Sequence, residues 1–418
     1  MRFCMRSRLE ESSRGYSMKV LEINSVCGIR STGRICTDIA DVLHASGHTC
    51  RIGYGRNQAL EAYRDIAIRI GNQKDCLLHA AGARLLDNAG FLSKNATESF
   101  LRAVDDYAPD IIHLHNIHGY YLHVGLLFAY IKQKGIPVVW TLHDCWAFTG
   151  HCSHFSAIGC EKWTTGCYAC PLKKEYPSSA FLDASRRNYR KKKELFSGVP
   201  HLTIVTPSAW LASCVQRSFL QGYPIRVIPN GIDRMVFRPT ESDFRKRYGL
   251  EDKIIVLGVA TAWTVHKGLP YFLQLADKLG SRYQVVLVGL TAQQIRALPD
   301  NVLCIERTNS AAELAAVYSA SDVLVSMSSE ETMGLTVVEA NACGIPAIVF
   351  EKTALPEIVT DKTGLVLTDC SADGVVKALH ERDMRASFQA ADCIRHAEGF
   401  DKAAMYKKYL DIYEEVGA

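Results

Sequence analysis

The chain has 418 residues, 48% of them hydrophobic and 22% charged, with a formal net charge of +4 and a pI near 8.3. That length exceeds one ordinary hydrophobic core, so two domains are expected, and so mild a basic balance makes no case for nucleic acid as a partner. No apolar run approaches the roughly 20 residues that cross a bilayer, and cysteines without a secretory leader read as thiols or metal ligands rather than disulfides.

Residues 1–17 are polar and lack the apolar centre of a secretory signal, so they read as an extension that the fold does not need, on a protein of the cytoplasm. From Met18 onward, short apolar runs alternate with longer amphipathic stretches, the pattern of parallel sheets covered by helices. Strands are expected at 19–24, 49–55, 110–116, 137–143 and 202–208, and again at 253–260, 283–289, 301–306, 322–328, 347–350 and 364–367. Two doubly wound α/β domains follow, 18–235 and 236–398, divided within "VIPNGIDRMVFRPT". An amphipathic helix over 399–418 would turn Phe400, Met405, Tyr406 and Leu410 inward.

Ligands of such folds bind outside the carboxyl ends of the strands. The first such loop, "SVCGIRSTGRI", carries Gly28 and Gly33 and opens a helix near Gly33; it is either a plain glycine turn or a backbone cradle for an anion or a sugar hydroxyl. In "HLHNIHGYYLH", His113 and His115 share a strand face, but no acidic or cysteine partner stands near them in sequence. His143 ends a strand at the mouth of the cleft, where an imidazole is either structural or placed to hydrogen-bond a sugar hydroxyl or move a proton.

An insertion over 145–175 holds Cys152, Cys160, Cys167 and Cys170. Four thiolates at short spacing suit a closed structural zinc site fastening a floppy excursion; free or redox thiols and an iron–sulfur centre are the alternatives. "SRRNYRKKK" is either a solvated helix face or a contact for an anionic membrane surface or lipid pyrophosphate, each cation adding about 1 kcal/mol there, with Leu195 and Phe196 inserting shallowly.

In the second domain, Lys267 beside Gly268 at a helix start suits a diphosphate. "SSEETMGLTVVEANACGIPAIVF" repeats the offer: Gly334, Leu335 and Thr336 can present N–H groups to phosphate, Glu339 can take the two hydroxyls of a ribose, and Glu331 can reach the sugar beyond. A hydrolase acid–base pair is the weaker reading, because neither glutamate has an apparent reason to be protonated.

These stretches resemble a known family. "EETMGLTVVEANACGIPAI" is similar to the E-x7-E signature of retaining, nucleotide-sugar-dependent glycosyltransferases of family 4, and "VTPS", "VIPNGID", "FRP", "HKG" and "LPEIV" follow in that family's order. The "GRI" loop, "HLHNIHGYY" and the cysteine-bearing insertion resemble its bacterial exopolysaccharide, capsule and colanic-acid branch. The resemblance implies the GT-B fold, two Rossmann-like domains facing a cleft, with acceptor on the first, donor on the second, the last helix crossing back, and no catalytic metal. It also implies catalytic roles for His143, Glu331 and Lys267: diphosphate on Lys267, ribose on Glu339, and transferred sugar on Glu331 and His143. The donor would be a UDP- or GDP-sugar and the acceptor a glycan, lipid-linked or soluble, at the inner face of the plasma membrane. Rivals are an epimerase or phosphorylase of the same fold, or a non-catalytic nucleotide-sugar-binding scaffold. Two departures stand out. Ala262 occupies the family's arginine position, leaving Arg307 or backbone donors to compensate, and "KTALPEIV" lacks the usual glycines.

Overall fold

The computed structural model describes residues 17–417, so the expectation for the N-terminal extension lies outside the described residues apart from Ser17. Seven strands form the first sheet: β1 (Lys19–Asn24), β2 (Thr49–Tyr54), β3 (Ala67–Arg69), β4 (Ile111–Leu114), β5 (Val138–Thr141), β6 (Leu202–Thr206) and β7 (Ile225–Val227). Six form the second: β8 (Ile254–Val259), β9 (Tyr283–Val288), β10 (Val302–Ile305), β11 (Val323–Ser326), β12 (Ala347–Phe350) and β13 (Gly364–Leu367). The apolar runs of the sequence became strands because both faces of each sheet are covered; all five residues of β6 are buried. β3 and β7 were not expected, since "AIR" and "IRV" are short edge strands with little to bury.

Every strand pair is parallel, in the orders β3-β2-β1-β4-β5-β6-β7 and β10-β9-β8-β11-β12-β13. Each sheet therefore reverses its direction of growth once, between β1 and β4 and between β8 and β11. A crevice opens at each reversal, beyond the carboxyl ends of the strands.

The chain passes between the two bodies at 228–243 and returns at Asp401, where Ile232 and Asp401 form a parallel bridge. The helix Lys402–Gly417 then packs Met405, Tyr406, Tyr409, Leu410, Ile412 and Tyr413 against the helix Arg30–Ala45 and β5, in one cluster with Val20 of β1 and Ile52 of β2. Phe400 precedes this helix and packs instead with the second sheet's core. Among the described residues no helix is long and apolar enough to cross a membrane.

The insertion is not floppy. Three 3-10 turns fold it around Phe148, Phe155 and Trp163, with Phe155 stacked on Trp163 at 4.8 Å, inside the first domain's core. The basic stretch forms the helix Ser185–Phe196, but it is not uniformly solvated. Lys192 is buried, donates to the carbonyls of Trp146 (2.7 Å) and Thr149 (3.1 Å), and lies 3.3 Å from the Trp146 ring. Burial lowers its pKa to about 7. Phe196 is wholly buried against Phe128 and Trp140, so it cannot enter a membrane.

Candidate active site

The second sheet's crevice is built by two loops clipped together. After β8, Trp263 anchors the chain by burying its ring edge-on to Phe272 and donating to the Val288 carbonyl at 2.9 Å. The loop closes on Gly268, whose φ is +83° and where a Cβ would stand 2.5 Å from the Met327 carbonyl oxygen; only glycine fits. The helix begins just after it, at Leu269, rather than at Lys267. The loop after β11 then hangs on His266, whose carbonyl accepts the Ser329 N–H (2.8 Å) and the hydroxyls of Ser328 and Ser329. This clip sets Lys267 Nζ 2.5 Å from Glu331 Oε1. Glu331 is held from behind, its N–H donating to Thr353 Oγ1 at 2.9 Å and its carbonyl accepting the Ala354 N–H at 3.3 Å.

Gly334 caps the helix Leu335–Ala342 with φ +94°, and a Cβ there would meet Leu355 and Ile358. No side chain caps that helix, so the N–H groups of its first turn, those of Leu335 and Thr336 among them, have no side-chain acceptor. Glu339 sits inside the helix and accepts a hydrogen bond from Tyr318 at 2.9 Å. Burial raises its pKa to about 7 against the pull of Tyr318 and of Arg34 from the facing domain. The expectation that neither glutamate would hold a proton is thereby corrected for Glu339.

The first domain supplies the opposite wall. Gly28 is left-handed (φ +72°), its N–H donating to the Gly33 carbonyl, and a Cβ on Gly33 would crowd Val26; the helix itself starts at Arg30, earlier than expected. His143 faces a cavity of about 350 Å³ with Tyr176, His266, Lys267, Glu331 and Thr332. Burial lowers its pKa to about 4, so it is neutral. Beside it, Asp144 pairs with His118 at 2.8 Å; burial pushes the carboxyl up, but His118 and the Trp146 N–H outweigh that and hold it at about 2.

Contacts cross the cleft at three further points. The Thr332 hydroxyl donates to the His143 carbonyl at 3.1 Å, and Glu330 Oε1 accepts the Ala157 N–H at 2.8 Å. Glu357 takes the N–H groups of Ala209 (2.8 Å) and Trp210 (2.6 Å), capping a first-domain helix from the second.

Not every expected residue converges here. Ala262 is exposed, and Arg307 is exposed beyond β10, outside the cavity lining. Cys152 and Cys170 hydrogen-bond each other, with Cys167 near both, but among the described residues no three of the four thiols lie within 4.8 Å of one another. The Cys152 hydrogen bond, followed by the charge of His151, holds Cys170 below the usual thiol range against the opposing effect of burial. His113 and His115 do have an acidic neighbour, Glu22, which pairs in register with His113 from β1. Sequence reading missed Glu330, Thr332, Tyr318, Arg34 and Glu357, whose roles exist only through contacts between distant segments.

Comparison with known proteins agrees with this architecture. The family model described as Glycosyltransferase Family 4 matches residues 32–235, and that described as Glycosyl transferases group 1 matches residues 240–391. The putative colanic acid biosynthesis glycosyl transferase WcaC of Escherichia coli is 24% identical over 77% of this chain and 80% of its own. D-inositol 3-phosphate glycosyltransferase 1 of Catenulispora acidiphila is 25% identical over 76% of this chain and 74% of its own. Among solved structures, sucrose-phosphate synthase of Thermosynechococcus elongatus superposes with a TM-score of 0.71 at 17% identity, covering 96% of this chain and 99% of its own. Anabaena Alr3699/HepE in complex with UDP and glucose gives 0.67 at 16% identity, covering 95% and 100%. With both halves matched and the two facing sheets of a GT-B fold, the chain belongs to glycosyltransferase family 4.

Proposed function

We propose that this glycosyltransferase moves a hexose from a nucleoside diphosphate sugar, UDP- or GDP-linked, to a hydroxyl of a glycan, with retention of anomeric configuration and without a catalytic metal. The observation that carries this reading is the Lys267–Glu331 pair beside the uncapped helix at Gly334, facing His143 across the cleft. Lys267 and the N–H groups of Leu335 and Thr336 would neutralise charge growing on the departing diphosphate. Glu339 would take the ribose, Glu331 and His143 would orient the sugar, and Gly28 and Gly33 would let the first loop approach the donor closely. The attacking hydroxyl enters from the leaving-group face and the departing phosphate oxygen accepts its proton, so no protein base is needed. The UDP and UDP-glucose complexes of HepE support a nucleotide-sugar donor.

WcaC and WaaG, a glycosyltransferase involved in lipopolysaccharide biosynthesis, support a cell-surface glycan as acceptor, and a lipid-linked one would require the membrane. The corrected membrane patch combines the exposed cations Arg186, Arg187, Arg190, Lys191 and Lys193 with exposed Phe181 and Leu182. The helix Gln73–Leu86, whose Arg84 carbonyl accepts the Ala180 N–H at 2.8 Å, adds exposed Leu78 and Leu85. A structural zinc on Cys152, Cys160, Cys167 and Cys170 belongs to the same proposal, supported by the adjacency of Cys152 and Cys170 with Cys167 beside them; the thiols would close further around the ion.

The deciding experiment is a thermal-shift and hydrolysis screen against UDP-, GDP-, ADP- and dTDP-sugars, repeated on Glu339→Ala. One nucleotide class should stabilise the native chain but not the variant, with slow release of sugar into water. Stabilisation with no release or transfer of sugar would instead favour the scaffold reading, and stabilisation by none of them would count against a nucleotide-sugar site.

A further inference from the structure

Behind His143 a row of buried polar groups runs into the first sheet. His143 Nε2 lies 3.0 Å from His115 Nδ1, and His115 Nε2 lies 3.6 Å from Glu22 Oε2 in the middle of β1. Both His115 Nε2 and Glu22 Oε2 are buried without a hydrogen-bond partner, yet each is the other's polar neighbour. Two orphans facing each other are one small side-chain rotation from satisfying both.

The direction of that bond follows from what surrounds Glu22. Its neighbours are the thiols of Cys27, Cys36 and Cys50, the phenols of Tyr409 and Tyr413, and the neutral rings of His113 and His115, with no lysine or arginine to balance a carboxylate. Burial accordingly holds Glu22 in its neutral acid form. The Cys50 thiol reaches Oε1 at 4.0 Å and the Cys36 thiol also bonds the carboxyl, so the acid's own O–H is left for Oε2. Glu22 then donates to His115 Nε2. Neutral His115 carries its proton on Nδ1 and donates to His143 Nε2, and neutral His143 carries its proton on Nδ1, the nitrogen with no protein partner, on the ring that lines the cleft.

We propose that Glu22 and His115 are positioning residues that hold His143 in its Nδ1–H tautomer, so that it presents a hydrogen-bond donor, not a base, to the ligand in the cleft. This rests on the reading of that cleft as the donor-sugar site. His143 would accordingly recognise a sugar or phosphate oxygen. A metal ion on Glu22, His113 and His115 is the competing account of the cluster. It is disfavoured because both His113 nitrogens are already engaged, by Tyr413 at 2.6 Å and Thr141 at 2.8 Å.

The test uses the full chain labelled with 15N in histidine, with the His143 ring signals assigned by their loss in His143→Gln. The native protein should show a protonated Nδ1 and a bare Nε2. Glu22→Gln should keep that pattern, since its amide N–H can donate to His115 while its carbonyl accepts from the thiols. Glu22→Leu should lose it and raise the dissociation constant for the preferred nucleotide sugar roughly tenfold, as for one lost hydrogen bond. If Glu22→Leu fails to fold, His115→Phe reads the same lock. A native His143 protonated on Nε2, unchanged ring signals in both Glu22→Leu and His115→Phe, or a stoichiometric metal lost in Glu22→Gln would each overturn the proposal. Failure of the native chain to bind any nucleotide sugar, with the ring signals as expected, would count against the transferase reading and not against the tautomer.

Discussion

Lys267 Nζ and Glu331 Oε1 stand 2.5 Å apart, joining the loop after β8 to the loop after β11 where the second sheet changes direction. Each side chain keeps some solvent exposure, so the pair adds little to stability. Under the proposed function it would keep a cation and a carboxylate ready at one point. An incoming diphosphate would compete with Glu331 for the lysine and free the carboxylate to meet sugar hydroxyls.

Lys267→Ala should therefore separate stability from turnover. Thermal unfolding should shift by the equivalent of less than about 1 kcal/mol, whereas kcat should fall by about 10²- to 10³-fold, as when one charge-stabilising donor is removed from a transition state. Near-native turnover would remove Lys267 from the mechanism.

Glu339 gives a pH dependence with a definite sign. Its folded pKa, about 7, is above the ordinary carboxyl value of 4.5, so the folded state binds the extra proton. Its contribution to stability is full below about pH 4.5 and is lost as pH rises through 7. Glu339→Gln should then unfold later than the native chain at pH 8, by about 1–3 kcal/mol, with the gain vanishing near pH 4.5. In the proposed function the ionised carboxylate would be the form that accepts two ribose hydroxyls, so native donor affinity, measured calorimetrically, should strengthen between pH 6 and 8 and be weak throughout in the variant.

Glu357→Ala removes the carboxylate that caps the helix Ala209–Gln216 from across the cleft. A lost cap costs about 1 kcal/mol, here at a contact between the two bodies. Small-angle scattering should show a larger radius of gyration without ligand, and the donor KM should rise more than kcat falls. An unchanged scattering curve would mean that the Thr332 and Glu330 contacts suffice.

The membrane patch is tested by flotation with vesicles containing anionic lipid. Phe181→Ser with Leu182→Ser should reduce binding at every salt concentration, while replacing Arg186 and Arg190 should reduce it mainly at low salt, because charge attraction is screened and apolar insertion is not. Phe196→Ser should act differently, destabilising the fold through its place in the core.

Elemental analysis of protein purified without added metal should find one zinc per chain, and a chelator should lower the melting temperature if the ion fastens the insertion. Absence of zinc would leave Cys152 and Cys170 as a neighbouring dithiol on an insertion already held by Phe148, Phe155 and Trp163.

The amino-acid sequence by itself determined the parallel α/β architecture and the second-domain motif, because both are local: apolar runs bounded by turns become buried strands, and Lys267, Gly334 and Glu339 lie in stretches whose spacing already implies a strand, a loop and a helix. What needed the tertiary structure was everything set by contacts distant in sequence. Glu357 caps a helix 147 and 148 residues away, Lys192 leaves a basic helix face for the core, Phe196 becomes interior rather than membrane-facing, and Glu22 meets His115 only because β1 and β4 are neighbours. Burial set the protonation of Glu339 and His143 in the same way. Desolvation is a property of the assembled fold, and no spacing of residues along a chain encodes it.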